Sequence, residues 1–432
     1  MEMVLEFLRD VLSQPALLIG IMSCIGLIAL KRPFHKIMTG TLKPILGYLM
    51  LAAGAGVIVS NLDPLGKMIE HGFHITGVVP NNEAIVAVAQ KVLGVETMSI
   101  LVVGLLMNLC IARFTKFKYV FLTGHHSLFM ACLMSAVLGT AGLSGMELIL
   151  VGGFLMGAWS AISPAIGQSY TSKVTDGDEI AIGHFGSLGY YLSAWVAKYV
   201  GKAEDSTEDI EIPEKWGFLR DSTLSTALTM IVFYLIAAFA AGSEFVATLS
   251  GDMSPYLYAV ISAMNFAVGV TIVYSGVRMI LGDLIPAFQG IATKIIPNAI
   301  PAVDCAVFFT YAPTAVVLGF LSSFIGGIIG MLILGAVGGV LIIPGLVPHF
   351  FCGATAGIYG NATGGRRGAA VGAFLNGLAI TFLPALALPV LGQLGFQNTT
   401  FGDADFAVMG LVLGNAYEWV GMACLLYTSD AA

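Results

Sequence analysis

The sequence predicts an all-α polytopic membrane protein, one membrane-embedded unit with roughly ten to twelve spans. Three observations carry that expectation. Hydrophobic residues make up 57% of the chain and charged residues 10%, where soluble domains carry about 25% charged residues. The apolar runs reach the roughly 20 residues that a spanning helix needs, too long for barrel strands. The 53 glycines suit close helix packing and helix breaks inside a bilayer. With a mean hydropathy of +0.90, a chain of 432 residues could not cover its surface in water. That excludes a soluble enzyme and a disordered scaffold. A net charge of −7, from 19 Lys+Arg against 26 Asp+Glu, leaves no basic footprint for nucleic acid.

Taken in order, full-length runs lie at 14–30, 42–60, 97–113, 127–143, 146–167, 223–241, 256–280, 312–334, 369–391 and 406–426. Shorter or interrupted pieces lie at 84–93, 184–200, 299–311 and 342–358. Some of these are expected to be half-helices or re-entrant segments. Residues 1–10 mix acid and base, and no small-residue cleavage site follows the first run, so no cleavable signal peptide is expected. Lys31, Arg32, Lys36 and Lys43 follow the first run, and Arg113, Lys116 and Lys118 follow the third. Both clusters are expected on the cytoplasmic side, which puts the N-terminus outside and makes 84–93 re-entrant. Residues 427–432 continue no span and stay unassigned.

The longest polar stretch, 201–222, holds Glu204, Asp205, Glu208, Asp209, Glu211 and Glu214. It reads as a solvated connector or as a docking surface for a soluble partner. On either side of it the chain repeats itself, over about 14–200 and 223–426. Pro64 precedes 75–83, I-T-G-V-V-P-N-N-E, and Pro286 precedes 295–304, I-I-P-N-A-I-P-A-V-D. In each copy a Pro-Asn turn leads to an acidic residue and then an apolar run. An odd number of spans between the copies would invert the second. Inverted repeats with broken helices are a transporter architecture, with the substrate at the repeat interface.

Ionisable residues at membrane depth need a reason. His125 follows Gly124 at the mouth of the run 127–143, beside His126. Adjacent positions do not share a helix face, so the two histidines are expected to do different jobs. His184 follows Gly183 and opens another apolar run. A neutral imidazole offers one donor and one acceptor, which suits a polyhydroxylated ligand. Either histidine could also be a capping or interfacial residue. Asp176-Gly177 is most simply a turn. Glu83 and Asp304 end the two repeat copies, and Asp304 leads into the apolar stretch 305–309. Such a carboxylate can bind hydroxyls, couple to a proton or Na⁺, act as a general base, or pair with a cation such as Arg278.

Cys24, Cys110, Cys132, Cys305, Cys352 and Cys424 have no CxxC spacing and read as small apolar fillers. The Gly-rich pieces lack GxxxxGK[ST], and there is no HExxH, GxSxG or EF-hand loop, so ATP, metal and other cofactors are not expected.

Several motifs together resemble a known family. They are Leu122-Thr123-Gly124-His125, Val174-Thr175-Asp176-Gly177, Ile182-Gly183-His184, Gly276-Val277-Arg278-Met279, Asp304-Cys305-Ala306, Ala312-Pro313 with Ala315-Val316-Val317, and Ile342-Ile343-Pro344-Gly345. In this order, across nearly the whole chain, they resemble the L-ascorbate permease subunit (enzyme IIC) of the bacterial phosphoenolpyruvate-dependent phosphotransferase system. The resemblance implies a homodimer of eleven-span protomers in the bacterial inner membrane, surrounded by lipid. Each protomer would have a core domain carrying the substrate and a scaffold domain forming the dimer, moving as an elevator. Separate IIA and IIB proteins would supply phosphate, and a IIB phosphocysteine would phosphorylate the sugar acid on this subunit.

The same resemblance carries ligand roles onto His125, His184, Asp304, Asn82 and Glu83, with Asp304 orienting the reacting hydroxyl or accepting its proton. Well-known members have glutamine four residues after the first histidine and directly after the second, where this chain has Phe129 and Phe185. Glu83 stands where an aromatic hydroxyl can occur. These departures rewrite the hydrogen-bond inventory of the substrate site. Two rivals stay open on the residues alone. One is an ion-coupled secondary transporter of a polyol or sugar acid using Glu83 and Asp304. The other is a passive channel.

Overall fold

A computed structural model describes residues 11, 14–74, 77–80, 82–210, 222–392 and 399–415. The later part of the acidic stretch, the second half of the run 406–426 and the 427–432 terminus lie outside them. The chain is helical almost throughout. Its elements are α1 (Pro15–Ala29), α2 (Phe34–Phe73), β1 (Val79–Pro80), α3 (Asn82–Phe114), β2 (Tyr119–Phe121), α4 (Gly124–Thr140), α5 (Gly145–Thr175), β3 (Ala181–Ile182), α6 (Ser187–Val200), α7 (Ser222–Ala241), α8 (Ser243–Ser250) and α9 (Pro255–Lys294). Then come β4 (Ile300–Val303), a 3₁₀ turn (Cys305–Thr310), α10 (Pro313–Ala336), α11 (Leu346–Gly392), β5 (Thr399–Thr400) and α12 (Ala404–Asn415).

Among the described residues six helices are long and apolar enough to cross a membrane, or seven if α7 and α8, bent by 117°, form one span. Eleven is a larger number than length and composition return. One of the six is two helices: the backbone of α11 leaves helical geometry at Gly364 and Gly365. Its arms fold back on each other, since Gly353 and Gly377 both meet Ser323 while Ala356 and Gly372 both meet Ser193. Gly365 has φ +59, and a Cβ there would lie 2.3 Å from the Lys202 carbonyl oxygen, so the apex accepts only glycine. One predicted break is absent. The pieces 84–93 and 97–113 form a single helix, α3, because Gly94 alone, without a proline, does not end a long apolar helix.

The helices pack in two groups. In the first, α2 and α9, each 40 residues long, run antiparallel, with α1, α7 and α8 beside them. At 1.5 Å per residue each is about 60 Å long, twice a hydrocarbon core. Gly47 faces Gly276 and Gly54 faces Gly269, and a Cβ at any of the four would lie 2.6–2.9 Å from the partner backbone. Pro64 and Pro286 fall at corresponding places near the ends of the two helices. The second group contains α3–α6 and α10–α12.

Short strands, which hydropathy does not signal, organise the second group. β4 lies between β2 and β3 in one parallel cluster. β1 pairs in parallel with β5, and the adjoining Val78 bridges Ile342. Each cluster therefore sets one strand from one half of the chain between two segments from the other half. The chain leaves every strand heading into the same cavity.

Candidate functional site

The cavity has a volume of about 470 Å³, within the usual range for small-molecule sites. His125, His126 and His184 line it from the first cluster, with Asp304 and Cys305. Pro80, Asn82 and Asp403 line it from the second, with Pro344, Gly345 and Leu346. Strand register relates the two sets. Ala302 pairs with Ala181, three residues before His184, and Asp304 stands two beyond Ala302. Pro80 pairs with Thr400, three residues before Asp403, and Asn82 stands two beyond Pro80. Asn82 is thus in the register of Asp304. Glu83 is one residue on, and its side chain lies outside the described residues.

Asp304 is 7% exposed and caps the 3₁₀ turn, where its Oδ1 accepts the Ala306 N–H at 3.2 Å. Its Oδ2 lies 3.4 Å from Nε2 of His125. The other ring nitrogen of His125 meets the Tyr48 hydroxyl at 3.3 Å. Tyr48 comes from α2, so this bond joins the two helix groups. The partner of Asp304 is therefore His125, while Arg278 is solvent- or lipid-exposed.

His184 is held differently. Its Nδ1 accepts the Gly186 N–H at 3.1 Å and lies 2.8 Å from the Tyr190 hydroxyl. A backbone N–H can only donate, so Nδ1 is the bare nitrogen and a neutral His184 carries its proton on Nε2. The same argument applies to His126, whose Nδ1 accepts the Phe185 N–H at 3.3 Å. Gly183 is needed because a Cβ there would lie 2.4 Å from the Ala302 carbonyl oxygen across the strand pair. His126 packs against His184 at 3.8 Å between ring centroids and stacks on Phe406 at 5.7 Å. Both adjacent histidines line the cavity from the first turn of α4.

Asp403 was not singled out from the sequence. Its Oδ2 accepts from the Asn82 amide, its Oδ1 accepts from the Cys352 thiol at 2.7 Å, and the Gly402 N–H donates to Asn82 Oδ1 at 2.8 Å. The signal was present: Phe401-Gly402-Asp403 copies the pattern Ile182-Gly183-His184, a short apolar strand, a glycine and a polar residue. Asp405, two residues on, accepts from Ser187 Oγ at 2.8 Å and the Leu188 N–H at 2.9 Å, and so caps α6. Tyr48 and Tyr190 carried no sequence signal, since tyrosine in an apolar run is ordinary.

The two phenylalanines part company. Phe129 lines the cavity at 5.8 Å from the His125 ring. Phe185 is 0% exposed and stacks on Phe121 at 4.6 Å, behind the cavity wall. At the mouth, α2 contributes Asp63, Lys67 and Glu70, with Asp63 and Lys67 paired at 2.8 Å. Two groupings, His184–Asp304–Cys305 and His184–Cys352–Asp403, have ligand atoms within 4.8 Å of one another. A cation at either grouping would compete with the hydrogen bonds just described.

The sequence from residue 10 to 405 matches the model of the PTS system sugar-specific permease component, EIIC-GAT. The chain belongs to that family. The permease is also similar to the ascorbate-specific PTS system EIIC component of Mycoplasma pneumoniae, 28% identical over 417 residues, covering 82% of this chain and 62% of that protein. The chain thus spans 62% of the length of that relative.

The remaining motifs of the permease lie away from the cavity. Asp176 takes a left-handed conformation, φ 53, at the end of α5, which makes Asp176-Gly177 the turn. The described part of the acidic stretch lies on the α11 apex: Thr207 N–H donates to Asn361 Oδ1 at 2.8 Å and Arg366 N–H to the Asp205 carbonyl at 2.8 Å. Glu208 caps α10, accepting the Thr314 and Ala315 N–H groups at 3.0 and 3.1 Å.

Proposed function

We propose that this permease takes up a polyhydroxylated sugar substrate, L-ascorbate or a close relative, and presents it to a separate phosphorylated IIB protein. The observation that supports this most is the convergence of Asp304, His125 and His184 on one cavity at strand ends from both halves of the chain. The name of the Mycoplasma relative supports the ascorbate assignment. In this reading Asp304 accepts a hydrogen bond from the reacting hydroxyl, and His125 and the Ala306 N–H hold its two oxygens in place. His184 donates from Nε2 to a second substrate oxygen. Asn82 and Asp403 hold the opposite side, with Glu83 beside them, and Phe129 covers a ring face. Phosphoryl transfer is mostly positioning and charge stabilisation, so a site that fixes one hydroxyl and leaves the phosphate chemistry to IIB is sufficient. Asp304 would take the hydroxyl proton as the O–P bond forms and the S–P bond of the IIB phosphocysteine breaks, leaving a thiolate on IIB.

The division into two helix groups supports an elevator reading. The group containing both strand clusters would be the moving core. The α2–α9 pair with α1, α7 and α8 would be the scaffold and the dimer contact. The antiparallel α2–α9 pair and the crossed strand clusters fit repeats inverted in the membrane. With α1, α2 and α3 as successive crossings, both basic clusters fall on one side, which we take as cytoplasmic, with the N-terminus outside. The test is uptake and IIB-dependent phosphorylation in Asp304→Asn and His184→Ala variants. Loss of both activities with a normally folded protein is expected, and near-normal uptake in either variant would contradict the site.

A further inference from the structure

We propose that the permease binds an anionic phospholipid headgroup in a basic hollow between α1, α2 and α9. This inference stands apart from the substrate site. The hollow measures about 440 Å³ and is lined by Arg32, His35 and Lys36 above Leu27, Gly40 and Pro286. Its shape follows from the turn after α1. The Lys31 N–H donates to the Ile28 carbonyl and the Arg32 N–H to the Leu27 carbonyl, the two bonds of a Schellman ending. Lys31 takes the left-handed conformation this ending requires, φ 53, where glycine is the usual residue. Pro33 then caps α2 at once, and Arg32 and Lys36 both line the hollow.

Charge balance there is incomplete. Arg32, His35 and Lys36 form no ion pair among the described residues, and the one carboxylate of the hollow, Asp283, lies 3.5 Å from Lys43. The first turn of α2 holds no acidic residue and no side-chain cap, so its free N–H groups add positive potential. In a chain of net charge −7 this concentration of exposed, unpaired cations suits an anion from outside.

Position decides which anion. α1 is apolar to Ala29, which sets Arg32 at headgroup depth. Exposed apolar side chains continue along the same two helices toward the membrane interior: Ile25 and Ile28 on α1, Phe34, Met38, Leu42 and Leu46 on α2. A diacyl phospholipid fits both features, its phosphate on the cations and its chains along that track. Basic pockets between transmembrane helices bind anionic headgroups in this way. A free phosphate would use the cations and leave the track unused, and a soluble acidic protein would need a flat surface outside the bilayer.

The test uses the purified full chain in detergent. Native mass spectrometry would measure retention of phosphatidylglycerol, phosphatidylcholine and inorganic phosphate. Wild type is expected to prefer phosphatidylglycerol over phosphatidylcholine by about 30-fold, the effect of two basic side chains at a membrane surface. Arg32→Ala/Lys36→Ala should bring the preference within about twofold, and Arg32→Lys/Lys36→Arg should retain it because the charge is kept. Lys116→Ala/Lys173→Ala, which removes the same charge elsewhere, should not change it. Equal retention of the two lipids by wild type, or an undiminished preference in the double alanine variant, would overturn the proposal. So would displacement of phosphatidylglycerol by equimolar inorganic phosphate, or an equal loss in the Lys116/Lys173 variant. If the double alanine variant does not purify as a folded protein, the arginine-lysine exchange and the phosphate competition decide the matter.

Discussion

Asp304→Asn changes one atom and tests the site from both sides. The carboxylate accepts from Ala306 N–H at 3.2 Å and faces His125 Nε2 at 3.4 Å. An amide has one accepting oxygen, so it can keep only one of these bonds and turns an NH₂ group toward the other donor. The substrate hydroxyl also loses a charged acceptor. A hydrogen bond to a charged group contributes about 1.5–3 kcal/mol, which corresponds to a loss of roughly 10- to 150-fold in affinity. Folding should respond differently. Asp304 is 7% exposed, and replacing a buried charge by an isosteric neutral group relieves desolvation, so the thermal midpoint should hold or rise. The assay is calorimetric Kd for L-ascorbate and for pentitols, hexitols and other sugar acids, alongside thermal unfolding of the same sample. An affinity within threefold of wild type for a ligand that wild type binds would refute the role of Asp304. A large fall in the midpoint would mean the residue is structural.

Other substitutions separate packing from recognition. Phe129→Gln places an amide at the cavity wall and should raise affinity for L-ascorbate relative to neutral polyols in the same binding screen. Phe185→Gln should leave that preference alone and destabilise the protein by about 1–3 kcal/mol, because the amide would be buried without partners against Phe121. Gly365→Ala forces a Cβ toward the Lys202 carbonyl at φ +59 and should cost about 1–3 kcal/mol in backbone strain alone, read as a lower thermal midpoint. Gly269→Leu should separate α2 from α9, where Gly54 and Ile58 leave no room, with a destabilisation of at least about 1–3 kcal/mol.

Much of the helical layout was legible in the sequence, because a run of 20 apolar residues has few alternatives in a membrane protein. The gap between the runs 342–358 and 369–391 coincides with the hairpin apex at Gly364-Gly365. The gap before 97–113 coincides with nothing, because a single glycine is tolerated inside a helix. His125, His184 and Asp304 could be found because each is ionisable and leads into an apolar run. Asp403 also precedes an apolar run but lies outside it beside a second acid, Asp405, so membrane depth alone did not mark it. The strands themselves were not legible. Two to four residues give no periodicity, and their pairing joins residues as far apart as Val79 and Thr399. Without that register the acidic ends of the repeat were aligned one residue out, on Glu83 in place of Asn82.

The most direct test of coupled uptake uses proteoliposomes loaded with phosphorylated IIB and supplied with labelled L-ascorbate outside, without an ion gradient. The account predicts that label accumulates inside as a phosphate ester, in amounts set by the IIB enclosed, and that Asp304→Asn stops it. Accumulation of unmodified substrate in vesicles without IIB, driven by a proton or Na⁺ gradient, would contradict it.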